Sequence, residues 1–414
     1  MKTCVGLLCI MTWLRCTILM AGAQAGFTAS PSNTSFLTAS KNTLAADINA
    51  KALWDGRKEV EFHAATLPRM VKAADAHFLI DKEYVLGITR NGESRAYPTR
   101  FVSWHHIVND KIGVQENGEP SYVTLTYCIV CNSGICFDTP RFHDKPLLFD
   151  FYGLYNGVMT LYDKNTESVW LQVSGRAVKG PLCETKLKST PLLDTTWGEW
   201  KKLHPNSLVM APDPHLTSDY ESKGSVMVRG YTEFPTDYFR PTLTHRDIRL
   251  PMFESVLAVN VPAVEPRTEP TLVTDSGNTP SVLHRAYPMK TFHKKTGVVN
   301  EILGTTPVAV LFRADTETMN AVSPIVAGQK LTLEARKCAD GTLAFFDRET
   351  GTRWNIEGRA EAGPLKGREL PRIDSHMSQW YGWVAYFPDT SIYGLSGLPV
   401  PALHRASSLK IGKR

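Results

Sequence analysis

The residues of this chain best suited to chemistry are Cys128 and Cys131, separated by Ile129 and Val130. Two thiols at this spacing can chelate one metal ion, because a turn between them points both sulfurs at one centre. They can equally close a short, redox-active disulfide. His105 lies upstream. If Thr99 to Asn109 is helical, His105 sits on the apolar side, one turn from Phe101 and from Val108 and Asn109. An imidazole turned inward there supplies a third ligand, and two thiolates with one imidazole suit copper(I) or zinc. His106 and Cys136 are further candidate ligands. The plain alternative is a pair of buried thiols or an inert disulfide, beside a core histidine bonded to a backbone carbonyl. Three readings therefore stand: a metal site, a cycling thiol pair, and a structural or interaction module. Covalent haem is not expected, since Asn132 stands where haem attachment needs a histidine. No nucleotide loop, metalloprotease helix or serine nucleophile elbow occurs, so no nucleotide cofactor is expected.

The elements that must position these residues are mostly strands. Tyr84–Ile88 and Tyr122–Tyr127 are short, β-branched and aromatic. Asn91-Gly92 predicts a hairpin turn. Thr99–Asn109 predicts a short helix, and Leu147–Tyr162 and Val169–Val173 predict strands. Thr196 with Glu199 three residues on predicts a capped helix that ends before Pro205, and Ser207–Met210 returns as a strand. Thr43–Trp54 predicts an amphipathic helix. The thiol pair closes a strand and is followed by Asn132-Ser133-Gly134 and Ile135-Cys136-Phe137. That is a turn into another strand, unlike the helix that follows the thioredoxin thiols.

One pattern occurs twice. Asp163, Thr166, Ser168 and Trp170, then Gly175-Arg176-Ala177 and Gly180-Pro181-Leu182, return as Asp347, Thr350, Thr352 and Trp354, Gly358-Arg359-Ala360 and Gly363-Pro364-Leu365. Arg95-Ala-Tyr-Pro98 returns as Arg285-Ala-Tyr-Pro288. This reads as a tandem duplication of a unit of domain size. The expected fold is a β-rich α+β protein. Two tandem pseudo-repeats, each a mixed, mostly antiparallel sheet unit with a few short helices, pack together. The expected divisions are a signal peptide at 1–25, an N-terminal extension at 26–77, a first repeat at 78–210, an ordered connection at 211–249, a second repeat at 250–395 and a tail at 396–414. What both copies share is assigned to scaffold. Only the first copy carries Trp104-His105-His106 and the thiol pair. A dense polar cluster, His245, Arg246 and Asp247, opens the second copy and, with Arg176, could line a cleft between copies.

The composition is that of a globular protein, with 43% hydrophobic residues and a net charge of +5 over 414 residues. No basic run with interleaved aromatics suggests nucleic-acid binding. Lys2, an apolar stretch from Val5 to Met20 and Ala23-Gln24-Ala25 predict a secretory signal. No later stretch is apolar and long enough to span a membrane. The expected location is secreted or in the cell envelope, periplasmic in a bacterium, with a monomer expected. Removal of the signal would leave five of the 8 cysteines, an odd number that cannot all pair internally.

Taken together, Arg95–Pro98, Trp104–Asp110, Thr126–Cys131, the Tyr162–Leu182 block, Thr195–Trp200 and His245–Leu250 occur in an order that resembles a family known only as a domain of unknown function, number 3179 of that series. The resemblance is strongest from Pro68 to Leu311. The usual Trp-His-Glu of that family is Trp104-His105-His106 here, and its usual Cys-Pro-x-Cys has Ile129 in place of proline. The resemblance implies an exported or envelope protein and no particular activity.

Overall fold

The computed structural model describes residues 40, 43–60, 62–216, 220, 230–263, 282–292 and 295–395. The expected signal segment and the tail at 396–414 lie outside the described residues. Within them, strands dominate and the helices are short, so the chain is a sheet-dominated α+β protein.

Asn91 and Gly92 both take left-handed backbone angles (φ 48° and 77°). They close a two-residue hairpin that pairs Arg90 with Glu93. Its strands, Tyr84–Arg90 and Glu93–Pro98, are the middle of a five-stranded sheet. Leu193–Thr196 adds antiparallel to the first strand, and Leu208–Met210 adds parallel to the second. A second sheet is the meander Ile107–Val114, Pro120–Cys128 and Ser133–Asp138, which carries the thiol pair at its last turn. A third runs through Phe149–Tyr155, Val158–Asp163, Val169–Leu171 and Ala177–Lys179, with Leu53–Asp55 on its edge.

The later part of the chain arranges its strands in comparable orders. Ser255–Pro262 and Val282–Pro288 pair antiparallel, flanked by Ser375–Gln379 antiparallel and Ser391–Ile392 parallel. Gly297–Leu303, Thr306–Arg313 and Thr318–Val322 form a meander. Leu333–Lys337, Leu343–Asp347, Arg353–Trp354 and Ala360–Ala362 form the last four-stranded sheet.

The recurring residues make recurring bonds. The carboxylate of Asp163 accepts from Thr166 N (2.6 Å), Thr166 Oγ1 (2.8 Å) and Trp170 Nε1 (2.9 Å). Asp347 accepts from Thr350 N (2.5 Å), Thr350 Oγ1 (2.9 Å) and Trp354 Nε1 (2.9 Å). Tyr97 and Arg95 both donate to Asp110, as Tyr287 and Arg285 both donate to Glu301. Gly180 and Gly363 sit at φ 95° and 100°, and a Cβ on either would fall 2.8 Å from the Cα of Ser168 or Thr352. These are turn and packing roles.

Both parts contribute to one core. Val85, Leu193, Trp197 and Trp200 pack in the same buried cluster as Leu311, Phe345, Trp354 and Leu370. Polar links cross the same seam: Thr195 Oγ1 lies 2.7 Å from Thr318 Oγ1, and His204 Nε2 lies 2.7 Å from Glu357 Oε2.

Several elements differ from expectation. Thr43–Trp54 is not one helix; Asn49 caps a single 3-10 turn, Ala50–Ala52, and Leu53–Asp55 then pairs with the strand ending at Tyr155. Leu147–Tyr162 is two strands, because Asn156-Gly157 turns with φ 51° and 73°. The helix from Thr99 stops at His105, and Ile107 already begins a strand. The helix from Trp197 to Leu203 is capped as expected, with Thr196 Oγ1 accepting from Glu199 N at 3.3 Å.

Candidate functional site

Cys128 is the last residue of its strand and pairs with Ser133, so Ile129 to Asn132 form the turn between two strands. Asn132 takes the left-handed position (φ 47°), which its short polar side chain tolerates. Its Oδ1 accepts from Tyr127 Oη at 3.1 Å. The turn is held from three directions. Gln172 Nε2 donates to Ser133 O at 2.9 Å. Tyr231 N donates to Val130 O at 3.4 Å, and Gln379 N donates to Cys131 O at 2.7 Å. Gly382, in the helix Trp380–Val384, lies against Cys131; a Cβ there would come within 3.2 Å of the Cys131 Cβ.

The two thiols are thereby made unequal. Cys131 is fully buried under the later part of the chain. Cys128 forms part of the wall of a cavity of about 480 Å³, together with His106, Met159, Phe62, Phe151 and Tyr238. Both cysteines are free thiols. Burial pushes the Cys128 thiol up, but hydrogen bonds from the Cys131 thiol and from the backbone N–H groups of Met159, Cys131 and Val130 outweigh it and hold it below its ordinary value. Burial, the bond to Cys128 and the charge on Cys128 push Cys131 well up. These directions favour the thiolate at Cys128, with the Cys131 thiol held beside it, 3.8 Å from the Cys128 carbonyl oxygen.

His106 enters the same cavity through a backbone irregularity. Its φ of 61° with ψ of −32° ends the helix, its N–H reaching back to Val102 O at 2.6 Å. A non-glycine residue held there is strained, a condition that collects at functional sites. Its carbonyl then accepts from Tyr127 N at 2.8 Å, which places it beside the end of the strand that carries Cys128. The imidazole lies against the Phe62 ring, centroids 4.0 Å apart. His106 occupies the position where the resemblance expects glutamate.

His105 goes elsewhere. Its Nδ1 is 2.8 Å from His63 O and its Nε2 is 2.9 Å from Tyr220 Oη. Burial lowers its pKa, so the ring is neutral. The carbonyl fixes Nδ1 as the donor, and Nε2 accepts from the tyrosine. Neither nitrogen has a lone pair left for a metal, and the carbonyl-bonded core histidine describes this residue. Tyr220→Phe should cost about 1–3 kcal/mol of stability by orphaning Nε2, read from denaturant unfolding, with the reactivity of Cys128 unchanged.

The other candidates separate too. Cys136 packs in the core with Leu86, Tyr97 and Leu125, its thiol pushed up by burial. Among the described residues, no three His, Cys, Asp or Glu side chains are placed to hold one metal ion. His245, Arg246 and Asp247 line a separate cavity of about 400 Å³. There Asp247 is engaged by Arg249 at 2.8 Å, and Arg249 also donates to Thr390 O and Pro388 O. Arg176 is not in that wall; it binds Asp47 at 2.6 Å and Glu184 at 3.8 Å.

Sequence reasoning missed the covering residues. Tyr231, Pro235, Thr236, Tyr238 and Phe239, from the connection at 211–249, line the thiol cavity. The signal was present as aromatic residues that needed burial in a segment without a strand pattern. Gly230 lets that connection reach the turn. It sits at φ 69°, and a Cβ would fall 2.5 Å from Gln379 Nε2 and 2.9 Å from Asn132 Cβ. Gly230→Ala should destabilise by about 1–3 kcal/mol and loosen the cavity wall, read as faster alkylation of Cys131 in the folded protein. Buried polar atoms without partners also gather at the turn: Asn132 Nδ2, Ser133 Oγ, Gln172 Oε1 and Gln379 Oε1. Such groups are costly to bury.

No curated protein and no solved structure matches the chain. A family model does, over residues 63–390, a span that holds the strained histidine, both thiols and the segments that cover them. On that match the chain belongs to the family described as Protein of unknown function (DUF3179).

Proposed function

We propose that the protein is an exported thiol–disulfide protein in which Cys128 attacks and Cys131 resolves. The observation that carries this is the inequality of the pair: Cys128 borders a cavity, and Cys131 is fully buried with Gln379 and Gly382 packed on it. A reversible pair needs that division, one thiolate to meet a partner and one thiol to displace it. His106 lines the wall of the same cavity, its Nδ1 3.3 Å from Trp104 O, and its imidazole is the group there suited to carry a proton to the departing thiolate. An exported location suits a disulfide that persists between reactions.

The test is a cycle of oxidation and reduction on the full chain, followed by peptide mass mapping. A mild oxidant such as diamide should remove two thiols together, map the new disulfide to Cys128 and Cys131, and be reversed by dithiothreitol. Loss of one thiol alone, or a disulfide elsewhere, would sink the reading.

A second reading is a soft metal ion on the same pair, and Met159 favours it. It lines the cavity and its backbone N–H reaches Cys128, and two thiolates with a thioether suit copper(I). Copper bound there would supply one-electron chemistry or be carried for delivery. Zinc fits less well, since a closed tetrahedral site needs two donors beyond the thiols. Stoichiometric copper(I) binding that Cys128→Ser abolishes would support this second reading.

A further inference from the structure

The cavity beside Cys128 has walls that narrow what can approach the sulfur. Its volume of about 480 Å³ is in the range of a site for one small molecule. Trp54, Phe62, Phe151, Tyr238 and Phe239 give it aromatic surfaces, and the Trp54 and Tyr238 rings stack 4.8 Å apart. Among the described residues that line it, none is Lys, Arg, Asp or Glu. An anionic partner would lose hydration there with only the His106 imidazole to set against it, which is expensive. An uncharged ring would instead trade water for aromatic contact.

We propose that the oxidant of the pair is an uncharged small-molecule disulfide whose sulfurs carry apolar, ring-sized groups, and that the aromatic cavity selects it. This rests on the thiol–disulfide reading of Cys128 and Cys131. The thiolate of Cys128 attacks one sulfur of the disulfide, the S–S bond breaks, and the first apolar thiolate leaves with the electron pair and takes a proton. A mixed disulfide then joins Cys128 to the second half. Cys131 loses its proton and attacks the Cys128 sulfur, releasing the second thiolate, which is protonated in turn. The protein pair is oxidised by two electrons and the small disulfide becomes two thiols.

The inference is tested with two aromatic disulfides that differ in charge. Dipyridyl disulfide is neutral, and dithiobis(nitrobenzoate) carries two carboxylates. Each is reacted with the reduced full chain, the rate is followed at the Cys128 peptide by mass, and each rate is divided by that of the same reagent with a free small thiol. The neutral reagent should win by about 100-fold, the desolvation cost of two carboxylates outweighing what the single His106 imidazole can return. Thr236 is exposed at the cavity wall. Thr236→Lys should therefore keep the fold, bring a cation to the opening and narrow the ratio by about tenfold. Equal normalised rates, or a faster dianion, would overturn the selection and leave the thiol-pair reading intact. Selection of the neutral reagent with a mixed disulfide that Cys131 never resolves would keep the cavity and overturn the pair. No reaction at Cys128 with either reagent would overturn both.

Discussion

Cys131→Ala is expected to slow alkylation of Cys128 by iodoacetamide about tenfold at pH 7, and to leave the rate at high pH unchanged. The Cys131 Sγ lies 3.8 Å from the Cys128 carbonyl oxygen, close enough for its thiol to turn to the Cys128 thiolate, and that contact is the largest influence holding the thiolate against the cost of burial. A hydrogen bond to a charged group is worth about 1.5–3 kcal/mol. Its loss returns protons to Cys128 at neutral pH, so less thiolate is available. At high pH Cys128 is ionised in both proteins and the difference closes. The serine variant separates this cause from loss of packing. Cys131→Ser keeps a donor at the same place and should stay within about threefold of the parent rate. Cys128→Ser removes the modified residue and should abolish labelling at this site. A parent-like pH profile for Cys131→Ala would show that the two thiols do not communicate.

The second large effect concerns stability. Asp163→Ala and Asp347→Ala should each cost about 3–5 kcal/mol in denaturant unfolding. Both carboxylates are inaccessible to solvent, and each accepts from a backbone N–H, a threonine hydroxyl and a tryptophan ring N–H. Alanine leaves the tryptophan N–H and the backbone N–H buried without partners, beside a cavity. The Asp347 cost should be the smaller by up to about 1 kcal/mol, because the bonds match but Thr350 is half-buried where Thr166 is buried. Neither variant should change the pH profile of Cys128. A large loss of thiol reactivity in Asp163→Ala at full stability would move that residue out of the scaffold.

The thiol turn was readable in advance, since Thr126, Tyr127 and Ile135, Phe137 bracket Cys128 and Cys131 with strand residues. So was the scaffold role of Asp163 and Asp347, whose bonds to Thr166 and Trp170, and to Thr350 and Trp354, are short-range within each motif. The histidine choice was not. Helical spacing places His105 inward, and it is inward, but the residue that receives it is Tyr220, 115 positions later. Nothing local announces that partner. His106 reaches the thiol cavity only because its backbone takes a left-handed angle at the helix end, a conformation the sequence Trp104-His105-His106 does not require. The burial of Cys131 depends on Gln379 and Gly382, contributed by the later part of the chain. Local pattern cannot predict which remote segment lands on a turn. In contrast, the break at Asn156-Gly157 carried the same turn signal as Asn91-Gly92 and was legible from residue type alone.

The central claim is that Cys128 and Cys131 form one reversible two-electron couple. The most direct measurement is an equilibrium titration of the full chain across a series of dithiothreitol ratios, with each point quenched and the Cys128–Cys131 peptide quantified by mass. The account predicts a single transition, the same from the oxidised and the reduced side, with the slope of a two-electron couple, about 30 mV per tenfold change in the equilibrium ratio. Two thiols that stay reduced across the whole range, or that oxidise without returning, would contradict it.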